Sequence, residues 1–456
     1  MWGPDAVIAH VVETRVLIAD LPWGKALLDM HRAYPQRYPH LLCSSALHNT
    51  TGRYDILFAA EGEAWSMRAE DITQTDFLSG LDQRWRLERI AADAAPSPWP
   101  FRGGWAIFLG YELAQQIEPR LRLPLGNDLP IAFMQRCPGA VIIDHVTQRC
   151  VALAEAGHEK LLQRIVADYA SATRAVSPQS AQDFSISEED AQAYITGVQR
   201  CRDYIAAGDV FQVNLSRAWT TPANFTAAQL LERLMRNNPA PFSALFTHSE
   251  WAIVSSSPER LVQTRGEYIE TRPIAGTRPR GTAMTDRGLA DELLSHPKER
   301  AEHVMLVDLE RNDMGRLCQP GSIHVKDLMG LESYAHVHHI VSHIQGRLRA
   351  DVTPGEVLRA MFPGGTITGC PKVRCMEIIA ELECTPRQAY TGSVGYLNRD
   401  GDMDFNILIR TLHTDAQGWG WRTGAGIVYD SDPFKELQET RAKARGLLLA
   451  LKENAC

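Results

Sequence analysis

The stretch Phe362-Pro363-Gly364-Gly365-Thr366-Ile367-Thr368-Gly369-Cys370-Pro371-Lys372-Val373-Arg374 carries more glycine and polar detail than a packed core needs. Its prolines and glycines interrupt any regular element, so it reads as a shaped loop. Downstream, residues 392–397, 404–412 and 419–423 are apolar or β-branched runs bounded by turn residues, which predicts strands. Upstream, residues 105–109, 140–143, 210–215, 251–255 and 268–271 repeat that pattern. Helices are predicted over 158–175, from Ser187 to residue 206, over about 286–311 and over 434–452. Strand runs joined by turns, with helices in blocks, predict an α+β chain with mostly antiparallel sheet.

The 456 residues carry a formal net charge of −8, which argues against a protein that coats nucleic acid or an anionic membrane. A hydrophobic fraction of 45% suits a sizeable core, and 22% charged residues is too few for wholesale disorder. No apolar run is long enough to span a bilayer, which takes roughly 18 residues. Met1-Trp2-Gly3-Pro4-Asp5 has no basic region followed by an apolar stretch, so a secretory leader is not expected. The nine cysteines are scattered without a C-x-x-C pair, as expected of reduced thiols in a cytoplasmic protein. There is no internal repeat. Residues 175–183 are small and polar with one proline and read as a linker, dividing an N-terminal part (1–176) from a second part (187–453). Ser187 with acidic Asp190 three residues on reads as the helix start after it.

Several polar residues stand out, each with a plain alternative. Glu299 and Glu302 share a helix face, and Glu436 and Glu439 repeat the spacing. They either converge on a hard cation such as Mg²⁺ or form two solvated faces. Glu259, after Pro258, is a turn acid or a general acid. In the run containing His336, His338 and His339, strand alternation puts His339 on the face opposite the other two. Arg410 and Lys443 are surface cations or carboxylate partners. In Gly424-Ala425-Gly426, the lack of side-chain bulk lets backbone N–H groups approach an anion.

Taken in order, several motifs resemble component I of the chorismate-utilising enzymes over nearly the whole chain. These are Ser255-Ser256-Ser257-Pro258-Glu259-Arg260, Thr271-Arg272-Pro273-Ile274-Ala275-Gly276-Thr277, Lys298-Glu299-Arg300-Ala301-Glu302, Asp308-Leu309-Glu310-Arg311-Asn312-Asp313, the 362–374 loop, Arg410-Thr411, Gly424-Ala425-Gly426 and Glu436-Leu437-Gln438-Glu439. The resemblance implies a large two-layer sandwich of mostly antiparallel sheets with helices on the outer faces. It makes 1–176 an N-terminal subdomain interleaved with a catalytic region, 187–453, in one globule. It implies that Glu302 and Glu439 bind Mg²⁺ directly, with Glu299 and Glu436 beside them. It implies a general acid at Glu259, catalytic positions at Thr277 and His339, and substrate contacts from Gln212, Thr366, Tyr396, Arg410, Gly424, Ala425, Gly426 and Lys443. Lys372 and Arg374 read as structural ion-pair formers.

Within that family, Gln212 stands where water-adding members carry a basic lysine, and a glutamine takes no proton at neutral pH. That leaves the two ammonia-using branches. Thr366-Ile367-Thr368-Gly369 and Gly52-Arg53-Tyr54-Asp55-Ile56-Leu57-Phe58-Ala59 resemble the branch that makes aminodeoxychorismate for 4-aminobenzoate and folate. A Leu-Leu-Glu-Ser feedback motif is missing; the nearest text is Leu41-Leu42-Cys43-Ser44. Ala275 departs from that branch, where many members place a nucleophilic lysine, and matches the anthranilate-forming alternative. No G-x-C-x-G nucleophile elbow is found, so the resemblance implies ammonia from a separate glutamine amidotransferase subunit.

Overall fold

The computed structural model describes residues 11–13, 16–45, 52–91, 97–173, 184–280, 286–333, 337–415 and 418–452. The 175–183 linker and His336 lie outside the described residues.

The runs that lack polar alternation explain the architecture. Gly104–Leu109, Gly139–Asp144 and Ser393–Asn398 are buried at every position, which requires sheets covered on both faces. Two antiparallel sheets supply this. The 13-stranded sheet runs Val11–Glu13, Val16–Leu21, Arg149–Glu155, Gly139–Asp144, Tyr54–Ala59, His40–Cys43, Phe242–His248, Trp251–Ser257, Thr411–Asp415, Gly418–Ile427, Gln212–Thr221 and Ser187–Glu188, with Gly369–Cys370 also paired to Gln212–Thr221. The 10-stranded sheet runs Ile274–Pro279, Val337–Arg347, Tyr268–Thr271, Arg260–Arg265, Met403–Asn406, Ser393–Asn398, Gly104–Leu109, Ala132–Cys137 and Ala64–Met67, with His324–Ser333 against Val337–Arg347.

The period of two then sorts side chains into layers. Phe58, Phe108, Ile142 and Phe246 point between the sheets. Their neighbours Leu57, Val141 and Leu245 face outward onto helices contributing Leu161, Leu230 and Leu447. On the other sheet, Trp105, Ile107 and Leu109 face helices contributing Leu81, Met314 and Leu358. A helix–sheet–sheet–helix sandwich follows, as expected for the α+β reading. No helix among the described residues is long and apolar enough to cross a membrane.

Three local expectations change. Ser187 does not cap a helix: Ser187–Glu188 forms an edge strand against Thr220 and Trp219. Asp190 caps Ala191–Ala206 instead, accepting from the N–H groups of Gln192 and Ala193. The helix expected over 286–311 is two helices, Asp286–Ser295 and Pro297–Gly315, because Pro297 has no N–H to continue the first and suits the first turn of the second. The strand expected over 404–412 is also two. Met403–Asn406 lies in one sheet and Thr411–Asp415 in the other, and the chain crosses between them at residues 407–410.

Candidate active site

That crossing has a twin. Trp251–Ser257 belongs to the 13-stranded sheet and Arg260–Arg265 to the 10-stranded one, so Pro258 and Glu259 form a second passage between layers. The passages are tied together: Ile407 N–H donates to Glu259 O at 3.0 Å, and Ser256 N–H donates to Arg410 O at 3.1 Å. Arg410 takes a left-handed conformation, φ 53°, to make its turn. Side chains on both passages therefore meet at a place no single strand could supply.

Glu259 is 5% exposed, and its Oε1 has no hydrogen-bond partner. Burial pushes its pKa up to about 8; Thr366 opposes the rise, Glu310 adds to it, and Arg410 opposes it weakly. The carboxyl thus keeps its proton at neutral pH. Burial likewise pulls the Arg410 guanidinium below its usual value, against the pull of Glu259. His339 is buried, and burial with Arg410 nearby lowers it to about 3, so its imidazole is neutral. Its strand pairs Thr277 opposite His339 and Ala275 opposite Ile340, with a bulge between them at Gly276, φ 68°. A Cβ at Gly276 would lie 2.9 Å from Glu299 Oε2. The Thr277 side chain lies outside what the structure describes.

Beside this cluster run two paired strands, Gln212–Thr221 and Gly418–Ile427. Gln212 Nε2 donates to Glu302 Oε1 at 2.9 Å. A Cβ at Gly426 would fall 2.2 Å from that same Nε2 and 3.5 Å from Glu302 Oε1. A Cβ at Gly424 would fall 2.7 Å from the Tyr390 hydroxyl. Lys443 Nζ donates to Gly424 O at 3.0 Å and pairs with Glu439 at 2.8 Å. Ala425 is fully buried between the glycines.

The four glutamates expected to hold a cation are already engaged with protein groups. Arg278 holds Glu299 at 3.2 Å, Gln212 holds Glu302, and Lys443 holds Glu439. Glu436 is buried in the first turn of Pro433–Lys452. Among the described residues no group of three or more His, Cys, Asp or Glu stands close enough to hold a metal alone. The donor chemistry fits Mg²⁺, which takes one or two carboxylates and completes its shell with water and substrate oxygens. Glu302 and Glu439 would supply those carboxylates, with Gln212 and Lys443 now on their oxygens.

Tyr396, expected as a substrate contact, lies apart from the groups above. Tyr396 is packed between the sheets, its ring 6.3 Å from that of Phe58 and 5.7 Å from that of Phe101, and it faces the buried Arg260–Asp404 pair. The tyrosine beside the glycines is Tyr390, whose hydroxyl lies 3.5 Å from Asn214 Oδ1. Its signal in the sequence is the polar run Arg387-Gln388-Ala389-Tyr390-Thr391 just before a buried strand. Glu310, for which the sequence suggests no role, accepts the Gly365 N–H at 3.2 Å under the 362–374 loop. As expected, Lys372 pairs with Asp313 and Arg374 with Asp209.

The profile of the chorismate binding enzyme family matches residues 39–449, and the chain belongs to that family. It is 42% identical over 415 residues to an anthranilate synthase component I-like protein of Synechocystis, covering 89% of this chain and 84% of that one. It is 40% identical over 365 residues to aminodeoxychorismate synthase component 1 of Bacillus subtilis, covering 77% of each. Among solved structures, anthranilate synthase component I of Streptococcus pneumoniae superposes with a TM-score of 0.77 at 29% identity, covering 88% of this chain and 93% of that one. The chain is thus a chorismate-utilising enzyme whose relatives divide between aminodeoxychorismate synthases and anthranilate synthases.

Proposed function

We propose that the chain is aminodeoxychorismate synthase component I, a cytoplasmic enzyme that converts chorismate and ammonia to 4-amino-4-deoxychorismate for 4-aminobenzoate and folate. The observation that carries the reading is the buried Glu259, which keeps its proton at neutral pH. Hydroxide is a poor leaving group, and a protonated acid beside the C4 oxygen lets water leave instead. Arg410, Lys443 and the backbone N–H groups of residues 424–426 bind the two substrate carboxylates. The neutral His339 and Thr277 flank the ring, with Thr366 and Gln212 as further contacts. Mg²⁺, held by Glu302 and Glu439 with Glu299 and Glu436 beside them, supplies counter-charge to a carboxylate when bound.

Ala275 offers no amine for a covalent bond at C2. A small external nucleophile adds at C2 as the C4–O bond breaks, and the ring double bonds shift. Ammonia then adds at C4, the double bonds shift back, and the first nucleophile leaves from C2. Without a tethered amine this step loses effective concentration and is slower than in lysine-bearing relatives. Ammonia comes from a separate glutamine amidotransferase, so the chain alone uses ammonium salts and uses glutamine only with that partner.

Ala275 is also what favours the second reading, anthranilate synthase component I. The deciding assay supplies chorismate, Mg²⁺ and ammonium, then aminodeoxychorismate lyase. 4-Aminobenzoate that forms only after the lyase is the expected result. Fluorescent anthranilate formed without it refutes the assignment.

A further inference from the structure

Glu310 is a buried acid with no place in the roles above. It lies on Pro297–Gly315, is 3% exposed, and reaches the catalytic side of the molecule through the 362–374 loop. Its Oε1 accepts the Gly365 N–H at 3.2 Å, and its Oε2 has no partner. Gly365 opens the short turn Gly365–Ile367, which carries Thr366. A Cβ at Gly365 would lie 2.5 Å from Leu309 Cδ2, so only glycine lets the turn rest on the helix. On the far side of the turn Thr366 faces Glu259, whose Oε1 is likewise unpartnered. Two buried carboxyls, each with an oxygen lacking a hydrogen bond, therefore flank one turn.

The groups around Glu310 are few. Asp313 comes from its own helix, Lys372 from Lys372–Glu383, Thr271 from its strand, the Gly365 N–H from the turn, and Glu259 from across it. Burial and then Asp313 push Glu310 up to about 7, while Lys372, the Gly365 N–H and Thr271 oppose the rise. Both carboxyls are thus pushed up, and each is raised further by a neighbouring acid, Asp313 for Glu310 and Glu310 for Glu259.

We propose that Glu310 is a positioning residue for Glu259: through the Gly365 N–H it sets the turn that holds Thr366 against Glu259, and as a second buried carboxylate it keeps the proton on Glu259. This rests on the reading of Glu259 as the acid. The sign is fixed by chemistry, since ionised Glu310 repels a second negative charge across the turn.

The test compares pH profiles of kcat for the whole chain with chorismate, Mg²⁺ and ammonium. Glu310→Gln keeps an oxygen for the Gly365 N–H and removes the charge. Its basic limb is expected to move acidward by roughly one pH unit, with KM little changed. Glu310→Asp keeps the charge and stretches the contact to Gly365. Its limb is expected to stay while KM rises, which separates tuning from positioning if the Gln variant folds poorly. Glu259→Gln is the reference and is expected to be inactive at every pH. An unmoved limb in Glu310→Gln, beside an inactive Glu259→Gln, overturns the role of Glu310 and leaves that of Glu259 standing. An active Glu259→Gln overturns the reading of the acid, and the inference with it.

Discussion

Two glutamates of this chain are equally buried and end on opposite sides of the ordinary carboxylate range. Burial pushes Glu383 up, but Arg387 and Arg422 outweigh it, and the carboxyl ends below its usual value. Its oxygens receive Arg387 at 2.6 and 2.9 Å, Arg422 at 3.2 Å, and both the N–H and hydroxyl of Ser216 at 2.8 Å. Glu259 has no such company and rises to about 8. Arg260, the next residue in the chain, repeats the paired pattern on the opposite face, held by Asp404 at 2.9 Å and Glu270 at 3.0 Å. Paired buried charge fixes the strands and turns; a buried carboxyl without such partners, at a crossing between sheets, is left over for chemistry.

The largest effect expected is at the unpaired acid. Glu259→Gln should cut kcat by about 10²- to 10⁴-fold in the ammonium assay, the usual weight of a general acid. Stability should move the other way. A carboxyl whose folded pKa is raised contributes most below the unfolded value of 4.5 and loses that contribution as pH rises to about 8. The Gln variant should therefore gain melting temperature relative to the parent across that window. A variant that loses stability at pH 7 would break the comparison.

Next comes the paired acid. Arg387→Met leaves Glu383 buried with its main partner gone, which should cost about 3–5 kcal/mol in denaturant unfolding. Here the folded pKa is depressed, so the contribution is present above the ordinary carboxylate range and lost as pH falls through the folded value. The damage should reach the site as well, since Arg387 also donates to Ile367 O at 3.3 Å and Asn214 O at 2.6 Å.

A smaller effect is expected at Gly424. Gly424→Ala puts a methyl 2.7 Å from Leu215 O and from the Tyr390 hydroxyl, and a backbone oxygen cannot swing aside. Overpacking of this kind costs about 1–3 kcal/mol, and KM for chorismate should rise with it. The smallest difference separates two tyrosines. Tyr390→Phe should raise KM a few-fold, as about 1 kcal/mol of hydrogen bonding implies. Tyr396→Phe should leave kcat and KM unchanged. The opposite ranking would return Tyr396 to the site.

The strands and the α+β class were legible in unbroken runs such as Gly139–Asp144, while the two-layer sandwich came from the family resemblance. The strand boundaries were not legible at 404–412, where an apolar run changes sheets midway: hydrophobicity records burial and not which layer does the burying. Pro297 announced the break in 286–311, but helical periodicity on either side masked it. Motif order singles out Glu259, His339, Thr366 and Arg410, and the two crossings, the Val337–Arg347 strand and the 362–374 loop set them near one another. The placement of the two tyrosines is harder to read along the chain. Tyr390 and Tyr396 lie six residues apart, and only the start of Ser393–Asn398 shows which precedes the strand and which lies inside it. Glu310 sits in a run with Asp308, Arg311 and Asp313 that gives no sign of burial, and its partner lies on a loop more than fifty positions away.

The protonation of Glu259 is the most direct test of the account. Infrared difference spectra between the wild-type chain and Glu259→Gln, titrated from pH 6 to pH 10, isolate its carboxyl C=O band. The expected result is a protonated carboxyl at pH 7 that ionises near the value of about 8 set by its burial. A carboxylate already ionised at pH 6 would contradict it.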